Sequence, residues 1–485
     1  MRSTLFLPGL RQQLGRLVSR CSSLRSLPLS QLELVLAPLL PLHLLSPNDD
    51  GVHSRQRCFS LRRTFFGFLW QVLNPDASCR EALRHLQGQS RLQEHQTSDS
   101  EDTSAYCQAR QRLPWERLDQ IFRHTAALAE QRVADGQRWL GRTIKIVDGT
   151  TFSMPDTPEN QSLYPQESQQ KPGCGFPLLR MVGIISLGSG ALLDYSTFSQ
   201  RSHDIQLFNE LRPHLRPGDI ILGDRGFSSY TQIALLRQAE VDSVFRLHQG
   251  PGGTTGLHGS FQVIKKLRSG DWLVHWTKSK EKPKYMSLED WAKVPDSLTV
   301  RIIHWAIKGG RTRTTKIVMV TTLLDWKKFS RLQIAELYLQ RWRIELTFRE
   351  LKILLRMDVL RCKSPEMIQK EIALHFIAYN LIRLLMQEAA IVAAVPLERI
   401  SFKGSLDTVR QYVPSLGSKR SPSRIRILYT AMLKAIARDH VPFRPNRREP
   451  RAVKRRPKNH QFLTAPRQVF RELPHRGKYP NRASA

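Results

Sequence analysis

The sequence predicts an α/β fold: a mixed-sheet core interrupted by a β-rich insertion, preceded by helices and followed by a helical and basic C-terminal region. Residues 141–248 alternate short apolar strand patterns with helix patterns, residues 249–325 turn to hairpin chemistry, and the flanks carry helical periodicity. At 485 residues and 40% hydrophobic content the chain can bury a sizeable core and hold more than one domain.

Lys and Arg outnumber Asp and Glu by 75 to 42, a formal charge of +33. A protein that basic repels itself unless a polyanion neutralises it, so nucleic acid is the first expected partner and an anionic membrane surface the second. Leu34 to Leu45 is apolar but broken by Pro38, Pro41 and His43, too short to span a bilayer. No secretory h-region is recognised, and a cytoplasmic protein without a membrane partner is expected. Cysteines at 21, 58, 79, 107, 174 and 362 form no Cys-x-x-Cys pair, which points to free thiols in a reducing compartment.

Residues 1–135 read as a helical, DNA-binding domain. Thr64–Leu73 is an apolar helix stopped by Asn74-Pro75, Asp76-Ala-Ser78 caps a helix through Ala82, Leu83 and Leu86, and Pro114-Trp115 opens another. Thr143–Asp148 then reads as a strand ending in a carboxylate. A Pro- and Gln-rich loop covers 155–177, strands follow at Leu179–Leu187 and Ala191–Phe198, and a helix at Asp204–Leu211. Gly218–Asp224 is a short strand again ending in a carboxylate, before a helix at Ser228–Ala239 and a strand at Val241–Leu247. Three hairpin-ordered strands, helix, strand, helix, strand is the front half of a ribonuclease-H-like fold. There the first and fourth strands lie side by side and bring Asp148 and Asp224 together.

Residues 249–325 are too long for a simple connection and read as the β-rich insertion. The second part of the core, 326–394, holds the segment Tyr338 to Lys352 and a long apolar helix with Ile372, Phe376, Tyr379, Leu381 and Leu384 as core. Residues 395–485 hold a Ser- and Gly-containing connection at 396–420, a helix at Arg424–Arg438, and a basic arm at Arg444–Lys458 suited to a phosphate backbone.

In a continuous helix, Tyr338, Arg341, Glu345 and Lys352 fall within roughly 60° of one another, one stripe with a phenol, a guanidinium, a carboxylate and an ammonium. Alone this is compatible with an ordinary solvated face. With Asp148 and Asp224, Glu345 completes three carboxylates from distant chain positions, the hard oxygen donors that divalent ions take. Two such ions support in-line phosphoryl transfer.

These residues carry a resemblance. Tyr338, Arg341, Glu345 and Lys352 match, in residue type and in every gap, the Tyr-(2)-Arg-(3)-Glu-(6)-Lys signature of the DDE transposases of bacterial insertion sequences known as insertion sequence family four. Asp148-Gly149-Thr150 resembles the family's first motif, and Gly223-Asp224-Arg225-Gly226-Phe227 its second. Tyr106–Pro114 and Pro450–Lys458 extend the likeness towards both ends.

The resemblance implies Asp148, Asp224 and Glu345 as catalytic metal ligands for two Mg2+ ions, with Mn2+ as a substitute. It implies Tyr338, Arg341 and Lys352 as phosphate contacts; Arg225, Arg455 and Arg456 join them as candidate DNA-binding residues. It also implies strand cleavage, a hairpin intermediate, strand transfer at terminal inverted repeats, and a homodimer in the synaptic complex. In the cytoplasm the enzyme would be nucleoid-associated when DNA-bound. In relatives a Trp of the insertion receives a flipped base, whereas Lys316–Val320 here has none; Trp276, Trp305 and Trp342 are the candidates to replace it. A metal-dependent nuclease of the same fold and a catalytically inactive DNA-binding regulator are the competing readings.

Overall fold

The computed structural model describes residues 31–46, 59–92, 102–199, 204–247, 261–283, 286–307, 315–416, 421–442, 464–466 and 469. The predicted basic arm, with Arg455 and Arg456, lies outside them.

One nine-stranded mixed sheet organises the molecule. Its strands are β1 (Ile144–Ser153), β2 (Leu178–Ser186), β3 (Leu192–Ser199), β4 (Ile220–Gly223), β5 (Asp242–Arg246), β6 (Phe261–Arg268), β7 (Asp271–Thr277), β8 (Ser297–Ile307) and β9 (Thr315–Thr321), in the order β3-β2-β1-β4-β5-β9-β8-β7-β6. β1–β4 and β4–β5 are parallel, and the other pairs antiparallel. The first and fourth strands are therefore neighbours. The strand that carries Asp148 does not end there: it runs on to Ser153, because β2 keeps pairing with it after β4 has stopped at Gly223. β9, placed by the sequence in the insertion, hydrogen-bonds to β5, so β6–β9 extend the same sheet.

Helices cover both faces. Between β3 and β5 lie α-helices Asp204–Leu211 and Tyr230–Gln238, on the face cored by Val147, Val182, Ile221 and Phe245. The opposite face, with Ile144, Ile146, Phe152 and Met181, packs against the helix Pro365–Ala393. That cluster also takes in Phe65, Phe66, Leu69, Ile121 and Phe122 from the helices Leu61–Leu73 and Trp115–Gln131, so these N-terminal helices share the core of the sheet. Ser78 begins the helix Cys79–Leu92 with a reciprocal cap: its hydroxyl accepts from Glu81 N and its own N–H donates to Glu81 Oε2. A smaller cluster of Phe59, Leu83, Leu86 and Tyr106 joins that helix to Thr103–Gln111.

Two stretches expected to be irregular contain helix. Pro158–Leu163 interrupts the loop at 155–177, capped by Thr157. Phe402–Tyr412 lies within the predicted connection; Ser401 caps it, and Phe402, Leu406 and Val409 form its buried stripe. Gly404 and Ser405 lower its intrinsic propensity, but packing overrides them: a Cβ on Gly404 would collide with the Asp439 carboxylate. The helix Pro365–Ala393 is long and apolar enough to cross a membrane by composition, yet 67% of its most apolar window is buried inside the fold, where Ile372, Phe376, Tyr379, Leu381 and Leu384 are core.

Candidate active site

The parallel register of three strands sets the site. Val147 pairs with Gly223, and Gly223 with Phe245. One residue further on, Asp148, Asp224 and Arg246 therefore stand abreast on β1, after β4 and on β5. The packing beneath them is tight. A Cβ on Gly223 would come within 2.9 Å of Phe245 and 3.1 Å of Val147, so only glycine fits before Asp224. Gly183 pairs with Asp148 across β2, and a Cβ there would meet Leu192 at 3.2 Å.

Above this edge lies the segment that the sequence predicts as one helix. It is an α-helix at Arg331–Leu339, a 3-10 turn at Gln340–Trp342, an α-helix at Arg343–Arg349 and a π turn at Glu350–Leu354. Ser330 and Gln333 form a capping box at its start. The preceding residue is held by a buried fork: Arg301 Nη1 donates to Phe329 O at 2.7 Å while Nε and Nη2 bind both Asp271 oxygens at 2.8 and 2.7 Å. The β extension thus fixes where the segment begins. The π turn coincides with a tertiary contact invisible in local sequence: the Tyr379 hydroxyl lies 3.1 Å from Glu350 Oε2, and Leu351 and Leu355 are both fully buried. Such turns recur at functional sites because they re-aim side chains.

The single stripe is accordingly divided. Arg341 Nη1 donates to Asp148 Oδ2 at 3.2 Å and Nη2 to Glu345 Oε1 at 2.8 Å, tying a strand acid to a helix acid. Burial raises the Asp148 carboxyl to about 6, opposed by the Gly149 N–H and the Arg341 charge and reinforced by Asp224 and Glu345. Burial also lifts the Tyr338 phenol to about 12, so it is neutral at physiological pH; its electrostatic neighbours are Arg341, Asp224 and Arg246. Lys352, re-aimed by the π turn, lies 5.3 Å over the Phe152 ring, and burial depresses its pKa. Phe152 is four residues past Asp148 on the same strand, so the two side chains share a face. Arg225 is exposed next to Asp224.

Sequence reasoning passed over Arg246. The available signal was its position at the end of the fifth strand, equivalent to that of the two aspartates. Of the Trp candidates, Trp276 is 8% exposed, Trp305 packs under Arg331 with the guanidinium 5.3 Å from its ring, and Trp342, next to Arg341, is 58% exposed.

The three carboxylates offer hard oxygen donors suited to Mg2+. Among the described residues, no three His, Cys, Asp or Glu groups stand close enough to hold an ion as they are. Arg341 supplies the positive charge between Asp148 and Glu345, and binding of a divalent ion by both would displace it.

Comparison with known proteins agrees with the motif reading. Residues 139–381 match the family model described as a transposase DDE domain. The chain is 28% identical over 454 residues to the transposase InsG for insertion sequence element IS4 of Escherichia coli K12, covering 93% of this chain and 97% of that one. It is 31% identical over 138 residues to the putative transposase InsZ of the same organism, covering 28% of this chain and 46% of that one. A solved piggyBac transposase synaptic complex with hairpin DNA aligns over 86% of this chain and 85% of that chain at 10% identity and a TM-score of 0.40, too loose a likeness to build on. With the domain match spanning the strands of Asp148 and Asp224 and the Tyr338–Lys352 signature, the chain belongs to the DDE transposases of insertion sequences, of the IS4 type, and is an enzyme acting on DNA.

Proposed function

We propose that this transposase carries out cut-and-paste transposition, with Asp148, Asp224 and Glu345 as the ligands of its divalent ions and the β1–β5 half of the sheet as a ribonuclease-H-like core. The observation that carries the reading is Arg341 bonded to both Asp148 and Glu345 beside Asp224. Two magnesium ions, or manganese in their place, would activate the attacking oxygen and stabilise the leaving one in each phosphoryl transfer. With ions held by those carboxylates, the Arg341 guanidinium would be free to bind the phosphate of the strand being cut. Tyr338, Lys352, Arg225 and Arg246 hold neighbouring phosphates, and the exposed Trp342 is the ring available to stack on a flipped base.

The freed 3′-hydroxyl attacks the opposite strand to form a hairpin, which is reopened before the 3′-ends attack target DNA. In this reading residues 1–135 form the DNA-binding domain, 141–248 and 326–394 the core, 249–325 the insertion and 395–485 the helical and basic C-terminal region. Two copies pair two transposon ends, working on nucleoid DNA in the cytoplasm. The test is to incubate the purified full chain with terminal inverted-repeat duplex, a target plasmid and Mg2+. Excision, hairpin ends and joined products are expected. Cleavage without joining would make the protein a nuclease, and binding without cleavage a regulator.

A further inference from the structure

Away from the carboxylates, one guanidinium gathers thiols from two regions of the chain. Arg110, buried on the helix Thr103–Gln111, places Nη1 3.2 Å from Cys79 Sγ and Nη2 3.1 Å from Cys362 Sγ, with its centre 3.8 Å over the Phe68 ring. Cys79 is the first residue of the helix Cys79–Leu92, where the positive end of the helix dipole favours a negative sulfur. Gln71 Nε2 lies a further 3.7 Å from the same sulfur. Cys107, one turn before Arg110, lines the same cavity as Cys79. The Cys107 thiol, with Arg110 and Gln71, draws the Cys79 pKa down to about 5 against the opposing effect of burial, while the Cys107 pKa is pushed up. Both cysteines are partly buried and line an open cavity of about 800 Å³. A cation among the three sulfurs makes this a thiolate site and not a metal site.

We infer that Cys79 is a peroxide-reactive thiolate and that Cys107 resolves it to a disulfide. The Cys79 thiolate attacks one oxygen of hydrogen peroxide; an S–O bond forms, the O–O bond breaks, and the departing hydroxide takes a proton to leave as water. Cys107 sulfur then attacks the Cys79 sulfenic acid. The S–S bond forms, the S–O bond breaks, and the Cys107 proton leaves with the hydroxyl as a second water. Two thiols lose two electrons and one peroxide gains them. The disulfide removes the charge that Arg110 faces at Cys79. Cys362, its other sulfur partner, follows the segment in which Leu360 N donates to Ser153 O at the far end of β1.

The experiment uses the reduced full-length protein with Cys174, half-exposed and distant in sequence, as the internal reference. Brief iodoacetamide labelling at pH 6.5, mapped by mass spectrometry, is expected to modify Cys79 at least about fivefold faster than Cys174. Hydrogen peroxide is expected to yield a Cys79–Cys107 linked peptide that a dithiol reductant reverses. Cys107→Ser is expected to leave Cys79 as a sulfenic acid trapped by dimedone, and Cys79→Ser to leave Cys107 unmodified. Equal labelling of Cys79 and Cys174, or peroxide treatment of the wild-type chain without that cross-link, overturns the inference.

Discussion

Two neighbouring stretches of the chain are both helical and both carry buried or half-buried charge, yet they are built to opposite ends. The helix Pro365–Ala393 runs unbroken for 29 residues, and its polar groups are spent on the fold. Glu371 accepts the backbone N–H of Arg361 with both oxygens at 3.0 Å and that of Cys362 at 2.9 Å; Lys370 donates to Gln111 O; Asn380 exchanges bonds with the backbone of Leu192. The segment Arg331–Leu354 is broken twice; Arg331 at its start donates to the Ser269 and His304 carbonyls, but Arg341, at the first break, bonds to the side chains of Asp148 and Glu345. Backbone partners cannot leave, whereas side-chain partners can be exchanged for an ion or a phosphate. The difference separates charge that holds the protein together from charge that is available for chemistry.

Replacing the carboxylates tests this most severely. Asp148→Ala, Asp224→Ala and Glu345→Ala are each expected to lower strand cleavage by at least about a thousandfold, because losing a metal ligand removes several kcal/mol of transition-state stabilisation. Inverted-repeat binding, measured by gel shift, should persist in all three. A variant that cleaves at near wild-type rate removes its residue from the ligand set.

The converse substitution lies on the unbroken helix. Glu371→Ala leaves the buried Cys362 N–H, and the less buried Arg361 N–H beside it, without their acceptor, a cost of about 1–3 kcal/mol. Denaturant unfolding should register that loss, while the protein still folded at low denaturant should cleave DNA within a few-fold of wild type. A Glu371→Ala protein that is fully stable and inactive would erase the contrast between the two helices.

Arg341 is the side chain whose partners are expected to change. Arg341→Ala should slow cleavage about 10–100-fold and weaken protection of the terminal phosphates in footprinting, and Arg341→Lys should recover only part of this because an ammonium cannot reproduce the two-pronged contact. Unchanged cleavage with an unchanged footprint would confine Arg341 to neutralising the carboxylates.

The strands, and the convergence of Asp148 with Asp224, were legible because strand period and right-handed parallel connection leave few arrangements. The burial of the Ile372–Leu384 stripe was legible from periodicity alone. The π turn was not, since Glu350 to Leu354 has ordinary helical composition and the contact that accompanies the turn comes from Tyr379, distant in sequence. Nor was the place of Arg246, which becomes meaningful only once β4 and β5 are in register. The helix Phe402–Tyr412 was hidden by Gly404, chosen for room beside Asp439 and not for flexibility. In each case long-range contact overrode a local pattern.

The smallest expected effect concerns Asp148 alone. Its carboxyl is raised from an ordinary 3.8 to about 6, chiefly by burial, so the folded chain binds that proton more tightly than the unfolded chain. Its contribution to stability is whole below about pH 4 and is lost as pH rises through about 6. Asp148→Asn, which keeps an acceptor for Gly149 N–H and Arg341, should therefore stabilise the protein by about 1–3 kcal/mol at pH 7.5 and change little at pH 4. Burial raises Glu350 and Glu371 as well, and subtracting wild-type from variant unfolding free energies at each pH cancels their shared slope. Divalent-ion affinity should run the other way, falling below about pH 6 as the carboxyl takes up its proton. A variant less stable than wild type at pH 7.5 would mean that Arg341 more than compensates the buried charge, placing Asp148 with the structural acids of the unbroken helix.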